Sequence, residues 1–210
     1  MAAAFAKLIE TGAELAKAKG VAVLVHGHGG SAADMEGLAD ALAVPDIRFY
    51  LPEAENNTWY PNRFIEPIAR NEPYLSRALE MYRSLIEALL AGGLRPAQIF
   101  LGGFSQGACL TAEFIARNPM RYGGVALFTG GAIGPPGHVW PVREGFAGTP
   151  AALGGSANDP HVPASRVRET AALFTAMGGH VETLMYPGST HTVTGAEVEA
   201  ARKLLRQMTA

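Results

Sequence analysis

The chain contains one cysteine, Cys109, among 210 residues. That excludes an internal disulfide and suits a reducing compartment. Charge is also sparse: Asp, Glu, Lys and Arg make up 17%, the balance is −2, and no Lys/Arg run occurs. The electrostatic footprint of a nucleic-acid partner or an anionic membrane surface is therefore missing. No apolar run approaches the roughly 20 residues needed to span a bilayer. The opening stretch MAAAFAKLIE lacks the basic and continuous apolar regions of a secretion signal. No H-E-x-x-H or cysteine cluster offers a metal site. These absences leave a cytoplasmic protein with neither membrane insertion nor nucleic-acid binding as the expectation.

What is present is apolar and patterned. Apolar residues reach 48%, typical of a packed globular chain, and the length suits one core, a single domain over residues 1–210. Strands are expected at Val21–Val25, Ile47–Leu51, Ile99–Leu101, Val125–Phe128, Pro150–Leu153 and Val181–Tyr186. Helices are expected at Ala33–Ala43, Tyr74–Ala91, Gln106–Asn118, Ala164–Met177 and Gly195–Met208. Several strands are apolar throughout instead of alternating, as strands covered on both faces are. The alternation predicts an α/β fold: a mostly parallel central sheet with helices on both faces. Two connections, Pro52–Pro73 and Thr129–Thr149, are long enough to be functional.

Gly103-Phe104-Ser105-Gln106-Gly107 matches G-x-S-x-G where a strand pattern gives way to a helix pattern. In a nucleophile elbow the serine sits on a strained strand-to-helix turn with its hydroxyl exposed. Its acid and histidine should follow in that order, each in a loop after a strand. Asp159 is the only aspartate downstream of Ser105, directly after the PAALG strand. His191, in YPGSTHT, lies between the last strand and the last helix. His161 is too close in sequence to fold back easily on Asp159, and His180 begins a strand. His191 would take the Ser105 proton and return it to the leaving group, with Asp159 orienting the ring. The backbone N–H groups of His28 and Gln106 would form the oxyanion hole, where losing one donor costs about 3–4 kcal/mol.

The loop holding His28 admits other readings. Gly27-His28-Gly29-Gly30-Ser31-Ala32 satisfies G-x-G-x-x-A, with Glu53 as the acid of a dinucleotide site. His26 and His28 could ligate a metal, although no further ligands follow at suitable spacing; His26 is expected to shape the loop.

The stretches HGHGGSAADMEGLA, LPEAENNTWYPNRF, GFSQGACLTAEFIARNP, SANDPHVP and YPGSTHT, in this order, resemble the phospholipase/carboxylesterase family of α/β-hydrolases. That family includes bacterial carboxylesterases and acyl-protein thioesterases. The resemblance implies an α/β-hydrolase fold without a separate cap domain, a Ser105–Asp159–His191 triad, an oxyanion hole at His28 and Gln106, and no cofactor. It also implies hydrolysis of esters, sometimes of thioesters or lysophospholipids. The chain departs from the acyl-protein thioesterases at His28, where they commonly carry leucine, and at Trp59-Tyr60-Pro61. Phe5–Ile9 offers at most one strand before VAVLV, where the full fold usually has two. Cys109, one helical turn beyond Ser105, is expected to be a packing residue.

Trp59, Tyr60, Phe64 and Ile65 in the first long loop, with Ile133 and Trp140 in the second, could line an apolar pocket over Ser105. The alternative is that they anchor the loops. The leading expectation is a cofactor-independent serine carboxylesterase for short or medium acyl chains. Its partner would be a small-molecule ester, with a homodimer left open. Competing classes are a nucleotide-binding oxidoreductase built on the Gly27 loop and a non-catalytic binding module.

Overall fold

The computed structural model describes residues 5–210; residues 1–4, part of the stretch read as lacking a secretion signal, lie outside the described residues. Strand β2, Gly20–Val25, is fully buried along its length. Its alternate side chains feed two separate cores: Val21, Val23 and Val25 face one, and Ala22 and Leu24 face the other. Strands β4 (Ile99–Phe104) and β5 (Gly124–Phe128) divide in the same way, with Leu101 and Leu127 on one side and Phe100 and Phe128 on the other. This two-sided burial explains why the strands lack a polar alternation.

Helices α1 (Ala32–Leu42) and α5 (Gly195–Thr209) cover the second core. Helices α2 (Tyr74–Ala91), α3 (Gln106–Arg117) and α4 (Ala164–Ala176) cover the first. With β1 (Lys7–Gly12), β3 (Ile47–Glu53), β6 (Pro150–Ser156) and β7 (His180–Tyr186), the sheet has the order β1-β3-β2-β4-β5-β6-β7. All neighbours are parallel except β1, which runs antiparallel along β3. Among the described residues, one strand precedes β2, and no helix is long and apolar enough to cross a membrane.

The expected helices stand within a residue of their observed bounds, whereas three strands run more than a residue longer than expected. β4 continues through Gly102 and Gly103 to Phe104 because the glycines are part of the strand. A Cβ on Gly103 would lie 2.6 Å from the Gly107 carbonyl carbon and 2.8 Å from the Val25 oxygen, so only glycine permits this approach. β6 likewise continues through Gly154 and Gly155. β3 continues through Pro52, which is tolerated because its parallel pairing with β2 ends at Tyr50.

Candidate active site

Ser105, Asp159 and His191 follow β4, β6 and β7, all at the carboxyl ends of parallel strands, where such sheets hold their ligands. Ser105 has φ 53° and ψ −117°, a strained conformation for a residue with a side chain. The turn is forced by packing: a Cβ on Gly107 would lie 2.1 Å from the Val25 carbonyl oxygen. Ser105 N–H donates to the Phe128 carbonyl at 3.0 Å, tying the elbow to β5.

The hydroxyl of Ser105 lies 2.8 Å from His191 Nε2, and His191 Nδ1 lies 2.9 Å from Asp159 Oδ2. Asp159 Oδ1 accepts the backbone N–H groups of His161 and Val162, each at 2.8 Å. The Asp159 side chain is 0% exposed. Burial pushes its pKa up, but the Val162 and His161 N–H groups and the His191 ring outweigh burial and hold it below the usual carboxylate value. An ionised Asp159 fixes the tautomer, with the proton on Nδ1 and Nε2 free to accept from Ser105.

The loop bearing His191 is held on both sides of the ring. Ser156 Oγ donates to the Thr190 carbonyl at 3.0 Å, and Thr129 Oγ1 to the Thr192 carbonyl at 3.3 Å. Glu197 Oε2 accepts from Tyr186 Oη before the loop, and from Thr194 Oγ1 and N–H after it. Sequence reasoning missed these positioning groups. A T-x-x-E capping box at Thr194–Glu197 is the one local signal that points to them.

The two loops beyond β2 and β3 are laced together. His26 is fully buried, donates from Nδ1 to its neighbour's Gly27 carbonyl at 2.7 Å, and accepts the Ala54 N–H at Nε2 at 3.0 Å. Burial lowers its pKa, keeping the ring neutral. Both ring nitrogens are engaged, so His26 shapes the loop and has none left for a metal. Gly29 N–H donates to the Asn57 carbonyl, and the Asn57 side chain donates to the Gly30 carbonyl. A phosphate would find the start of α1 occupied. Ala32 N–H donates to Glu53 Oε2 at 2.8 Å, and Asp34 takes both the N–H and the hydroxyl of Ser31. Glu53 therefore occupies the α1 terminus where the dinucleotide reading required a bound pyrophosphate, and its charge would repel one.

Gln106 carries a second role. Its Oε1 accepts the Trp59 N–H at 2.9 Å and its Nε2 donates to the Tyr60 carbonyl at 2.8 Å, clamping the first long loop to α3. Among the described residues, neither the Gln106 nor the His28 N–H has a protein acceptor. The His28 ring is exposed, with Nδ1 2.9 Å from Thr58 Oγ1.

A cavity of about 210 Å³ opens beside Ser105. Tyr60 and Phe64 line it as expected, together with His28 and Gln106. Trp59, Ile133 and Trp140 do not. Trp59 is buried, donating from Nε1 to the His26 carbonyl and packing edge-on against Phe5. Ile133 is buried, its N–H on Glu113 and its carbonyl accepting Trp140 Nε1. Trp140 lies under the Arg166 guanidinium, 4.9 Å from its ring centroid. These three anchor loops, and Ile65 packs against the core. Cys109 also lines the cavity, but burial pushes its thiol up to about 12, too high for a nucleophile at neutral pH. His161, set aside as a base, lines it as well, with its ring centroid 4.8 Å from that of His191.

Known proteins are similar to this chain over most of its length. A family model described as phospholipase/carboxylesterase matches residues 9–209. A crystal structure of a phospholipase/carboxylesterase from Dyadobacter fermentans superposes with a TM-score of 0.90 at 38% identity, covering 95% of this chain and 96% of that one. An acyl-protein thioesterase 1 of Eremothecium gossypii is 27% identical over 89% of this chain and 86% of its own. A probable carboxylesterase of Arabidopsis thaliana is 25% identical over 66% of this chain, and the match spans about half of that protein, 53%.

Proposed function

From a chain that belongs to the phospholipase/carboxylesterase family and has its α/β-hydrolase fold, we propose a serine hydrolase that cleaves carboxylic esters of short to medium acyl chains. The observation that carries this reading is the unbroken hydrogen-bonded line from Ser105 Oγ through His191 to the buried Asp159 carboxylate. Ser105 Oγ attacks the ester carbonyl carbon while His191 Nε2 takes its proton. The resulting oxyanion is met by the His28 and Gln106 N–H groups, both without a protein acceptor among the described residues. The bond from carbonyl carbon to alcohol oxygen breaks, and the alcohol leaves with the proton held by His191. Water, deprotonated by the same nitrogen, then attacks the acyl-enzyme and releases the acid and Ser105. Asp159 stays ionised throughout, stabilising the imidazolium.

Size favours the short end of the range: the cavity's 210 Å³ lies below the roughly 300–1,000 Å³ common for small-molecule sites. The same groups would cleave an acyl thioester. The likeness to an acyl-protein thioesterase over 89% of the chain supports that second reading.

The test is hydrolysis of p-nitrophenyl esters from acetate to decanoate, and of matched thioesters, by wild type and Ser105→Ala. We expect short esters to be turned over best and the variant to lose about 10⁴-fold or more in kcat while keeping its fold. Equal turnover by the variant would leave Ser105 a turn residue and overturn the proposal.

A further inference from the structure

The cavity beside Ser105 has a charge that ester hydrolysis does not need. Arg63 lines it from the first long loop and is exposed. Its guanidinium donates from Nη2 to the His161 carbonyl at 3.2 Å. Among the described residues it has no carboxylate within ion-pair distance; Arg77, Arg95, Arg121, Arg143, Arg168 and Arg206 share that property, but Arg63 is the one among them that lines this cavity. No aspartate or glutamate lines the cavity, and the nearby Asp159 carboxylate is 0% exposed and saturated with donors. A cavity for a purely hydrocarbon acyl chain would have no use for an unpaired cation.

Resting on the ester-hydrolase reading, we propose that the enzyme selects esters carrying a carboxylate a few bonds from the scissile carbonyl, with Arg63 as its counter-ion. Guanidinium and carboxylate match in shape and charge, and the pair forms two parallel hydrogen bonds when both lie in one plane. A cavity of about 210 Å³, below the roughly 300–1,000 Å³ common for small-molecule sites, suits a compact dicarboxylate monoester. One carboxylate can sit on the acyl or the alcohol side of the ester, and matched substrates separate the two.

The experiment measures kcat/KM by pH-stat for two pairs: monomethyl succinate against methyl butyrate, and 4-acetoxybenzoate against phenyl acetate. In wild type at low salt we expect the anionic member of one pair to be favoured about tenfold, and the responding pair identifies the side. The ratio should collapse towards one in Arg63→Met and in high salt, fall below one in Arg63→Glu, and largely survive in Arg63→Lys. A merely structural Arg63, tying its loop to His161, would lower both members of each pair alike. That result, or a wild type without anionic preference in either pair, overturns the inference while the ester-hydrolase reading stands. A wild type that hydrolyses none of the four removes both. If Arg63→Met fails to fold, the salt dependence and Arg63→Lys decide between the same two outcomes.

Discussion

Ser31 and Ser105 occupy equivalent places: each lies beyond a central parallel strand and immediately before a helix. Ser31 has an extended backbone, φ −139°, and its hydroxyl accepts the Asp34 N–H, while Asp34 returns the bond to complete a capping box. Ser105 has φ 53°, caps nothing, and directs its hydroxyl to His191. A cap contributes about 1 kcal/mol, and a residue in a sparsely populated backbone region costs about 1–3 kcal/mol. The two helix starts therefore differ by a few kcal/mol in what they do for the fold. The less stable one keeps its first N–H groups and its hydroxyl available for chemistry. The compensation lies in the surroundings, where Gly103 and Gly107 let β4, α3 and β2 close to van der Waals contact.

Four substitutions, and a titration with its own control variant, sharpen this contrast. The largest effect is expected for Asp159→Asn, which keeps the shape of the site but offers His191 the wrong partner. Its kcat should fall about 10⁴-fold with little change in KM, measured with a short p-nitrophenyl ester. Next comes Gly107→Ala, whose methyl would lie 2.1 Å from the Val25 oxygen. It should lower stability in urea by about 3 kcal/mol and displace the elbow. The serines themselves should respond in opposite directions. Ser31→Ala should lose about 1 kcal/mol of stability and retain esterase activity, whereas Ser105→Gly should abolish activity and gain about 1 kcal/mol by relieving its backbone. Equal stability changes of one sign would remove the distinction between the two helix starts.

The smallest effect is a pH dependence. His26 is held neutral by burial, below its ordinary value of 6.5. The unfolded chain therefore binds more protons than the native one as pH falls below that value. Stability is full above 6.5 and declines on acidification towards the lowered native pKa. Asp159, also lowered, contributes stability that is lost only as pH falls from 3.8 through its native value. Thermal melts from pH 7 to 5 should show the His26 slope, and His26→Asn should flatten it.

Most of the sheet, and the order serine, acid, histidine, were legible because topology leaves one suitable residue in each loop. Asp159 stands alone downstream of Ser105, and His191 falls between the last strand and last helix. The pocket was much less legible. Trp59 and Tyr60 are adjacent, yet Trp59 is spent on the His26 carbonyl and Tyr60 lines the cavity. Composition cannot say which way each points when neither periodicity applies. His161 escapes a sequence reading for a related reason. Proximity in sequence to Asp159 keeps its ring off the carboxylate, but the turn whose N–H groups bond Asp159 brings that ring beside His191. Arg63 carried no signal at all, because a lone arginine in a loop is ordinarily solvated.

Gln106 links two properties that are usually tuned apart. Its side chain grips the backbone of Trp59 and Tyr60, while its N–H is the donor we propose for the oxyanion. Libraries that vary the Tyr60–Phe64 segment to widen substrate range will therefore also shift the turnover step. Gains in breadth and in rate should be anticorrelated until position 106 is diversified alongside that segment.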